Sequence, residues 1–240
     1  FVPTMLSDLE FERYRKQLNL PEWRKAQQMA LKNAYILVVG AGGLGCGALP
    51  FLAAAGVGTI TILDADVIEL SNLARQVLYR TEDVGESKAL KAAEALLALN
   101  PTIKIKGIAE NLTLENAATY IAQHDLIIDC TDNFKTRYLI NDTCVELNKP
   151  FVYGAIHAWE GQFAVFTPSG PSYKNLFPVE PSPQEIPACD EVGVLGVLPG
   201  IIGLLQAKEA IFYLAGFESP AQKSLMTFDL RDMRLSSFTL

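Results

Sequence analysis

The sequence predicts an α/β protein with a Rossmann-like, doubly wound and mostly parallel sheet, antiparallel C-terminal strands and a long crossing loop. Three observations lead to this prediction. Short β-branched runs alternate with helical stretches in the first part of the chain, a G-x-G-x-x-G spacing directly follows the first such run, and the later strands follow one another through short turns. Strands that alternate with helices build parallel sheets, whereas short turns join only antiparallel strands.

The stretch 35–66 organises the predicted fold. The run at 35–39 is too short for a helix and predicts a buried strand; an apolar helix, a turn at 56–58 and a second strand at 59–63 follow. Between the first strand and the helix stand Gly40, Gly42, Gly43 and Gly45. Because glycines let backbone N–H groups approach a phosphate at a helix N-terminus, this unit predicts nucleotide binding. The alternative is a tight turn that merely packs the helix on the sheet.

Polar residues follow two of the predicted strands, where open α/β sheets bind ligands. Asp64 lies about 20 residues past the glycines, at the position where an acid bonds ribose hydroxyls, and the loop after it offers donors for phosphate or ribose at Asn72, Arg75 and Gln76. A strand at 125–129 ends in the acidic segment 129–133, and carboxylates placed there commonly hold Mg²⁺ on a nucleotide. Lys88 opens the next predicted helix and is either a phosphate contact or a surface lysine.

The whole chain, 1–240, is interpreted as a single domain. Its parts are a helical arm (1–33), a nucleotide-binding core (34–167), a crossing loop (168–190) and a C-terminal helix with strands (191–240). The other predicted helices begin at a capping box at Ser7, span 86–99 and 113–123, and, in two pieces around Pro199, span 192–214. The other predicted strands are 102–107, the pair 151–156 and 162–167 joined through 158–161, and the pair 224–229 and 233–239. Six prolines between 168 and 187 predict a partly mobile loop without regular structure.

Composition and charge narrow the class of protein. Half of the 240 residues are hydrophobic and a fifth are charged, which is typical of a globular protein with a sizeable core. The net charge of −7 argues against a general nucleic-acid surface. The longest apolar run, 192–205, is broken by glycines and too short to span a bilayer, so we expect no membrane partner.

The four cysteines form no C-x-x-C pair, so neither a zinc ribbon nor a thioredoxin-like site is expected. Cys46, Cys130 and Cys144 lie in apolar segments and are interpreted as buried, inert thiols. With no visible signal peptide, we expect a cytoplasmic protein. Cys189 follows the proline-rich loop and is a candidate nucleophile, although the two acids after it would raise its pKa. The alternative is a loop cysteine without catalytic duty.

Seven motifs together resemble the ThiF/MoeB/HesA family, bacterial relatives of the ubiquitin-activating enzymes. They keep the family's order and spacing over nearly the whole chain. The motifs are GAGGLG at 40–45, DAD at 64–66, SNLARQ at 71–76, Lys88, CTDN at 130–133 with Arg137, EGQ at 160–162 and VGVLGVLPGIIG at 192–203.

The resemblance implies ATP- and Mg²⁺-dependent adenylylation of the C-terminal glycine carboxylate of a ubiquitin-like sulfur carrier ending in Gly-Gly, for thiamin or molybdopterin biosynthesis. It assigns phosphate to Gly43 and its neighbours, ribose to Asp64, the triphosphate to Asn72, Arg75 and Lys88, and Mg²⁺ to Asp132. Further nucleotide contacts are implied at Asp66, Ser71, Gln76 and Asn133. The catalytic residues expected from it are Arg75, Lys88, Asp132 and Cys189, with Cys189 as a conditional thiol for a thioester or acyl-disulfide.

The resemblance also implies a homodimer, with sulfur arriving from another protein, a sulfurtransferase or a cysteine desulfurase. In the family an N-terminal arginine reaches the partner subunit's nucleotide; Lys16 occupies that place here, with Arg15 beside it, so the contact is weaker or moves to Arg15. Most members bind structural zinc through two C-x-x-C pairs. Residues 172–175 replace the first pair and no second pair follows, so no zinc is expected.

Two other functions remain open from the sequence. The glycine motif alone allows a NAD-dependent oxidoreductase, for which His124 and His157 are the only candidate histidines. An inactive scaffold or regulatory partner of an activating enzyme is conceivable because the zinc pairs are lost. The combination of Arg75, Lys88 and Asp132 favours a Mg-triphosphate over both alternatives.

Overall fold

The computed structural model describes residues 5–181 and 193–240, and these ranges contain one mixed β-sheet. Its strands are β1 (Tyr35–Val39), β2 (Thr59–Leu63), β3 (Lys104–Ile108), β4 (Leu126–Asp129), β5 (Phe151–His157), β6 (Glu160–Phe166), β7 (Ser224–Asp229) and β8 (Arg234–Thr239). They lie in the order β3-β2-β1-β4-β5-β6-β7-β8, parallel from β3 to β5 and antiparallel from β5 to β8. The predicted fold class is confirmed.

Helices cover both faces of this sheet. They are α1 (Asp8–Leu18), α2 (Lys25–Asn33), α3 (Gly43–Ala55), α4 (Lys88–Leu99), α5 (Ala117–Ala122), α6 (Phe134–Glu146), α7 (Tyr173–Leu176) and α8 (Val197–Ala215). On one face Ile36 and Val38 of β1 share a core with α3, α4 and α8; on the other, Leu37 and Val39 share a core with α5, α6 and α7. Because β1 is buried on both faces, its sequence is a continuous apolar run.

The strand order reverses direction at β1, whose neighbours are β2 and β4. Ligands of open α/β sheets bind at the carboxyl ends of the strands beside such a switch point. Gly40 allows the backbone after β1 to lie against the backbone after β4. It has φ +97°, and a Cβ on it would lie 2.5 Å from the carbonyl oxygen of Cys130. The fold thus brings the ends of β1 and β4 into contact.

The prediction that the C-terminal helix forms two pieces around Pro199 is wrong. α8 is one helix of 19 residues with Pro199 in its first turn, where the missing N–H has no partner inside a helix in any case. The apolar stretch also extends beyond the predicted run of 192–205, and by length and apolar composition α8 could cross a bilayer. However, Leu198 and Ile202 of α8 belong to the core and the helix packs on α3, β5 and β6, as a core helix of a globular domain does.

Two loop predictions also need correction. The β5–β6 connection is only Ala158 and Trp159, because Glu160 already pairs with His157, and Ala158 adopts φ +51° to make this short turn. The crossing loop contains regular structure, since 173–176 forms the single turn α7, anchored by a hydrogen bond from the Tyr173 N–H to Asn141 Oδ1 (2.9 Å). Residues 182–190 of the predicted loop, with Cys189, lie outside the described residues.

Candidate functional site

A cavity of about 1320 Å³ opens along the carboxyl ends of the parallel strands. Most of the residues predicted to bind nucleotide line it. They are Gly40, Gly42, Gly43, Asp64, Asp66, Asn72, Arg75, Gln76, Lys88, Asp132 and Asn133. The fold therefore gathers into one site polar side chains from three separate segments of the chain.

Asp64 holds the glycine loop in place. One carboxylate oxygen accepts the Ala41 N–H (2.7 Å) and the other accepts the Asp66 N–H (2.9 Å). Burial raises the pKa of Asp64, although these two backbone hydrogen bonds act in the opposite direction. Gly45 lies below the loop outside the cavity, where a Cβ would come within 2.4 Å of the Gly40 carbonyl oxygen. The carboxylate thus fixes the loop whose N–H groups would face a phosphate.

Lys88 enters the cavity as one half of an ion pair. Its Nζ donates to Asp66 Oδ2 at 2.9 Å; the lysine side chain is 8% exposed, whereas that of Asp66 is 70% exposed. Its own N–H donates to the Asp66 carbonyl oxygen (3.0 Å), which ties the start of α4 to the loop after β2. Lys88 is therefore a fixed, buried cation rather than a surface lysine.

The segment 70–76 presents an unsatisfied acceptor. Gln76 is 3% exposed, and its Oε1 makes no hydrogen bond within the described residues. Asn72 Oδ1 accepts the Glu69 N–H (3.1 Å) and Arg75 Nη1 donates to the Ser71 carbonyl oxygen (3.4 Å), while Ser71 itself lies outside the cavity. Buried acceptors without a partner are costly, and Gln76 lines the same cavity as Asn72 and Arg75.

The acids at the end of β4 have different roles. Asp129 is completely buried: its Oδ1 accepts the Thr131 N–H (3.0 Å) and hydroxyl (2.6 Å), and its Oδ2 accepts Arg137 Nε (3.3 Å). Asp132 is exposed and lines the cavity. An exposed carboxylate beside phosphate-binding groups fits Mg²⁺, which takes one or two protein carboxylates and completes its shell with phosphate and water.

Sequence reasoning missed a cluster of aromatic rings around Arg137. The guanidinium lies over the rings of Phe134 and Tyr153 (5.4 and 5.1 Å to the centroids), and the Tyr173 ring lies 5.2 Å from that of Tyr153, tilted by 53°. Burial disfavours the charged guanidinium, but the neighbouring Tyr153 and Asp129 outweigh this and raise the pKa of Arg137. The one sequence signal was Arg137 in the first turn of α6, four residues after Asn133.

Residues 172–175, which replace the first zinc-binding pair of the resembled family, pack by aromatic contacts. Tyr173 is 2% exposed and its ring lies 4.8 Å from Phe177, and Tyr138 Oη donates to the Phe177 carbonyl oxygen (2.7 Å). Among the described residues, no group of three or more His, Cys, Asp or Glu side chains could hold a metal ion. The absence of zinc stays a prediction.

Arg15 and Lys16 do not reach this cavity. Both are exposed on α1, where Arg15 pairs with Glu12 (3.2 Å). The next residue inward, Tyr14, packs against Gly56 at the C-terminal end of α3. The glycine loop is at the other end of this 13-residue helix, about 20 Å away. The two side chains therefore cannot bind a nucleotide of their own chain from α1 in this position.

The described cysteines are buried as predicted. Burial raises the pKa of Cys46 to about 12 and also raises the pKa values of Cys130 and Cys144. His124 is likewise buried away from the cavity, with its Nε2 2.8 Å from Thr61 Oγ1, whereas His157 is exposed at the cavity rim.

Comparison with known proteins agrees with this geometry. The model of the ThiF family matches residues 14–240. The chain is 46% identical over 237 residues to the sulfur carrier protein adenylyltransferase of Thermus thermophilus, covering 96% of this chain and 88% of that relative. The chain is 43% identical to the adenylyltransferase and sulfurtransferase MOCS3 of Danio rerio, and this match covers 99% of the chain but only 52% of MOCS3.

Solved structures share the fold. The crystal structure of E. coli MccB with MccA-N7isoASN superposes with a TM-score of 0.84 at 22% identity, covering 99% of this chain and 74% of that chain. E. coli MccB with ATP gives a TM-score of 0.76 at 23% identity, covering 89% of this chain and 66% of that one. At such identities these structures support the architecture alone. The family match and the close relatives carry the assignment, and the chain belongs to the ThiF family.

Proposed function

We propose that this protein is an ATP-dependent adenylyltransferase that activates the C-terminal glycine carboxylate of a small ubiquitin-like sulfur carrier ending in Gly-Gly. One observation carries the proposal: the glycine loop, Lys88, Arg75 and Asp132 share one cavity. The 46% identity to a protein named sulfur carrier protein adenylyltransferase supports the substrate class.

The chemistry requires cations more than it requires a base. The carrier carboxylate is already ionised, and its oxygen would form a bond to the α-phosphorus of ATP while the bond from that phosphorus to the bridging oxygen breaks and pyrophosphate leaves. Both reactants are anionic, so positive charge must lie beside the phosphates. Lys88 and Arg75 line the cavity for this role, and the N-terminus of α3 adds backbone N–H groups.

We assign Mg²⁺ to Asp132, whose exposed carboxylate lies in the same cavity. Bound there, the ion would neutralise phosphate charge. Asn133 is adjacent, but its Oδ1 already accepts the Thr136 N–H (2.9 Å). Asp132 is therefore the better ligand of the two.

The cavity also has room for the carrier's tail. Beyond Asp132 it continues along Tyr153 and Gln162 to His157 and Glu160 at the rim. An extended C-terminal segment could follow this path to the nucleotide. We propose that the activated carrier serves thiamin or molybdopterin biosynthesis in the cytoplasm, that a sulfurtransferase or cysteine desulfurase supplies sulfur, and that Cys189 is the conditional thiol.

ATP–pyrophosphate exchange tests the function directly. We expect exchange that depends on Mg²⁺ and on a carrier ending in Gly-Gly, with a loss of at least about 100-fold in Asp132→Ala. Asp232→Ala is the matched control, because Asp232 is an exposed acid of the β7–β8 turn outside the cavity.

Two results would contradict the proposal. Confirmed ATP binding without exchange on any carrier would favour an inactive scaffold. Binding of NAD in place of ATP would favour the oxidoreductase.

We further propose a homodimer formed through α3 and α8. The two helices pack side by side, and both expose apolar side chains: Phe51 is 52% exposed, Val197 56% and Leu204 40%. Val197 and Leu204 are seven residues apart and so share one face of α8. A partner subunit would also give Arg15 and Lys16 a nucleotide to contact, since their own chain's cavity is out of reach.

Sedimentation of purified protein tests the dimer. We expect a dimer for the unchanged protein and a monomer for Leu204→Glu, since a buried charge opposes association. Leu97→Glu, on α4 with a similar exposure of 41%, should remain dimeric. A monomeric unchanged protein, or equal behaviour of both variants, would rule out this interface.

A further inference from the structure

The buried carboxylate of Asp129 is fully occupied by its own chain. It accepts two hydrogen bonds from Thr131 and one from Arg137, at 2.6 to 3.3 Å, and the residue has no exposed surface. It can therefore bind neither a metal ion nor a substrate. A charge placed so deeply needs another reason to be there, because burying an ion pair often stabilises a fold no more than apolar packing does.

Hydrogen bonds fix both residues that flank Asp132. Thr131 is held through its N–H and hydroxyl by Asp129, and its carbonyl oxygen accepts Arg137 Nη2 (3.1 Å). Asn133 caps α6 through its bond to the Thr136 N–H. Every polar group of Thr131 is thus engaged, while Asp132, between these two anchors, is exposed and lines the cavity.

Two elements hold this network from opposite sides. Arg137 comes from the first turn of α6, where the rings of Phe134 and Tyr153 pack on its guanidinium. From α8, Gln206 donates through Nε2 to the Asp129 carbonyl oxygen (2.7 Å) and is itself completely buried. Rotation of Asp129 or of the peptide after it would break bonds on both sides, so the loop has a single arrangement.

We propose that Asp129 is a positioning residue that acts through Thr131 and Arg137 to hold Asp132 in the orientation that binds the Mg²⁺ of Mg-ATP. The inference rests on the proposed function and deepens it. Groups that orient a metal ligand without touching the metal typically change metal affinity by about 10- to 100-fold when they are removed.

The test measures how much Mg²⁺ tightens ATP binding, with calorimetric ATP titrations in excess MgCl₂ and in EDTA. Thr131→Val removes the hydroxyl bond to Asp129 and keeps the shape of the side chain. We expect the Mg²⁺-dependent tightening to fall about tenfold in Thr131→Val, with the affinity in EDTA unchanged. Thr131→Ser restores the hydroxyl and should recover most of the tightening.

Thr61→Val is the matched control. Thr61 is also a buried threonine with a hydrogen-bonded hydroxyl, 2.8 Å from His124 Nε2, but it lies on β2 away from the cavity. It should lose stability as Thr131→Val does, yet keep the full tightening by Mg²⁺. The comparison separates loss of position at Asp132 from general loss of stability.

The decisive measurement adds Thr131→Val to an Asp132→Ala background. If Thr131 acts through Asp132, the second change has no further effect on the tightening. An equal loss in both backgrounds, or unchanged tightening in Thr131→Val alone, would overturn the proposal. Since the titration needs no carrier, a protein that shows the expected tightening but no pyrophosphate exchange would contradict the proposed function and leave this inference intact.

Discussion

The carboxyl ends of β2 and β4 are built from similar residues. Each strand end carries two acids: Asp64 and Asp66 directly follow β2, while Asp129 is the last residue of β4 and Asp132 lies in the loop after it. In each pair the first acid accepts the backbone N–H of the residue two positions later, and the second acid is exposed in the cavity. At both ends, then, the inner acid builds the loop and the outer acid faces the ligand.

The inner acids differ in their surroundings. Among the described residues Asp64 has only backbone donors; it is partly exposed and lines the cavity, so its carboxylate holds the glycine loop and still faces the cavity's ligand space. Asp129 has no exposed surface and lies against a guanidinium. The difference shows that a carboxylate with a charged partner at full burial is a structural element, whereas one bound by backbone alone can remain a ligand.

The largest effect expected from this difference is on stability. Asp129→Asn leaves Arg137 buried without its counter-charge, and breaking a buried pair in this way costs about 3–5 kcal/mol of unfolding free energy. Asp64→Asn keeps one acceptor oxygen and leaves no charge unpaired, so we expect a loss of about 1–2 kcal/mol. Urea unfolding followed by circular dichroism measures both.

The control for this comparison is Arg137→Met together with Asp129→Asn. Removing both charges should restore part of the lost stability, since the cost comes from the unpaired cation. Equal losses for Asp64→Asn and Asp129→Asn would show that the two strand ends are energetically alike.

Much of the predicted nucleotide-binding core, 34–167, could be predicted from the sequence because local signals determine its strands and turns. The bounds of β1 and β2 match the predicted 35–39 and 59–63, since β-branched apolar runs between glycine turns allow little else. The glycine spacing and the polar strand ends then place the cavity, because parallel strands bring their carboxyl ends to one edge of the sheet.

The rest depended on contacts between distant segments. The sequence placed Asp129 and Asp132 in one acid cluster, and only packing against Arg137 and Gln206 separates a buried support from an exposed ligand. The turn α7 was missed among prolines because its stability comes from Tyr173 inside an aromatic core. Pro199 was misread because its effect depends on its position in the helix, which the apolar run did not reveal.

The smallest expected effect concerns the outer acid Asp66. Its carboxylate is mostly exposed, although its partner Lys88 is buried, so Asp66→Asn should lower the unfolding free energy by only about 1 kcal/mol, less than Asp129→Asn, where both partners are buried. Asn can still accept the Lys88 hydrogen bond, while the negative charge beside the proposed triphosphate site is gone. We therefore expect ATP to bind about threefold more tightly at low ionic strength, with the gain shrinking as salt is added.

Calorimetric titration at two salt concentrations checks this, with Asp132→Asn in EDTA as the matched outer-acid variant at β4. Weaker ATP binding by Asp66→Asn would mean that its carboxylate orients Lys88 in a way an amide cannot, which would make Asp66 a support like Asp129 rather than an outer acid.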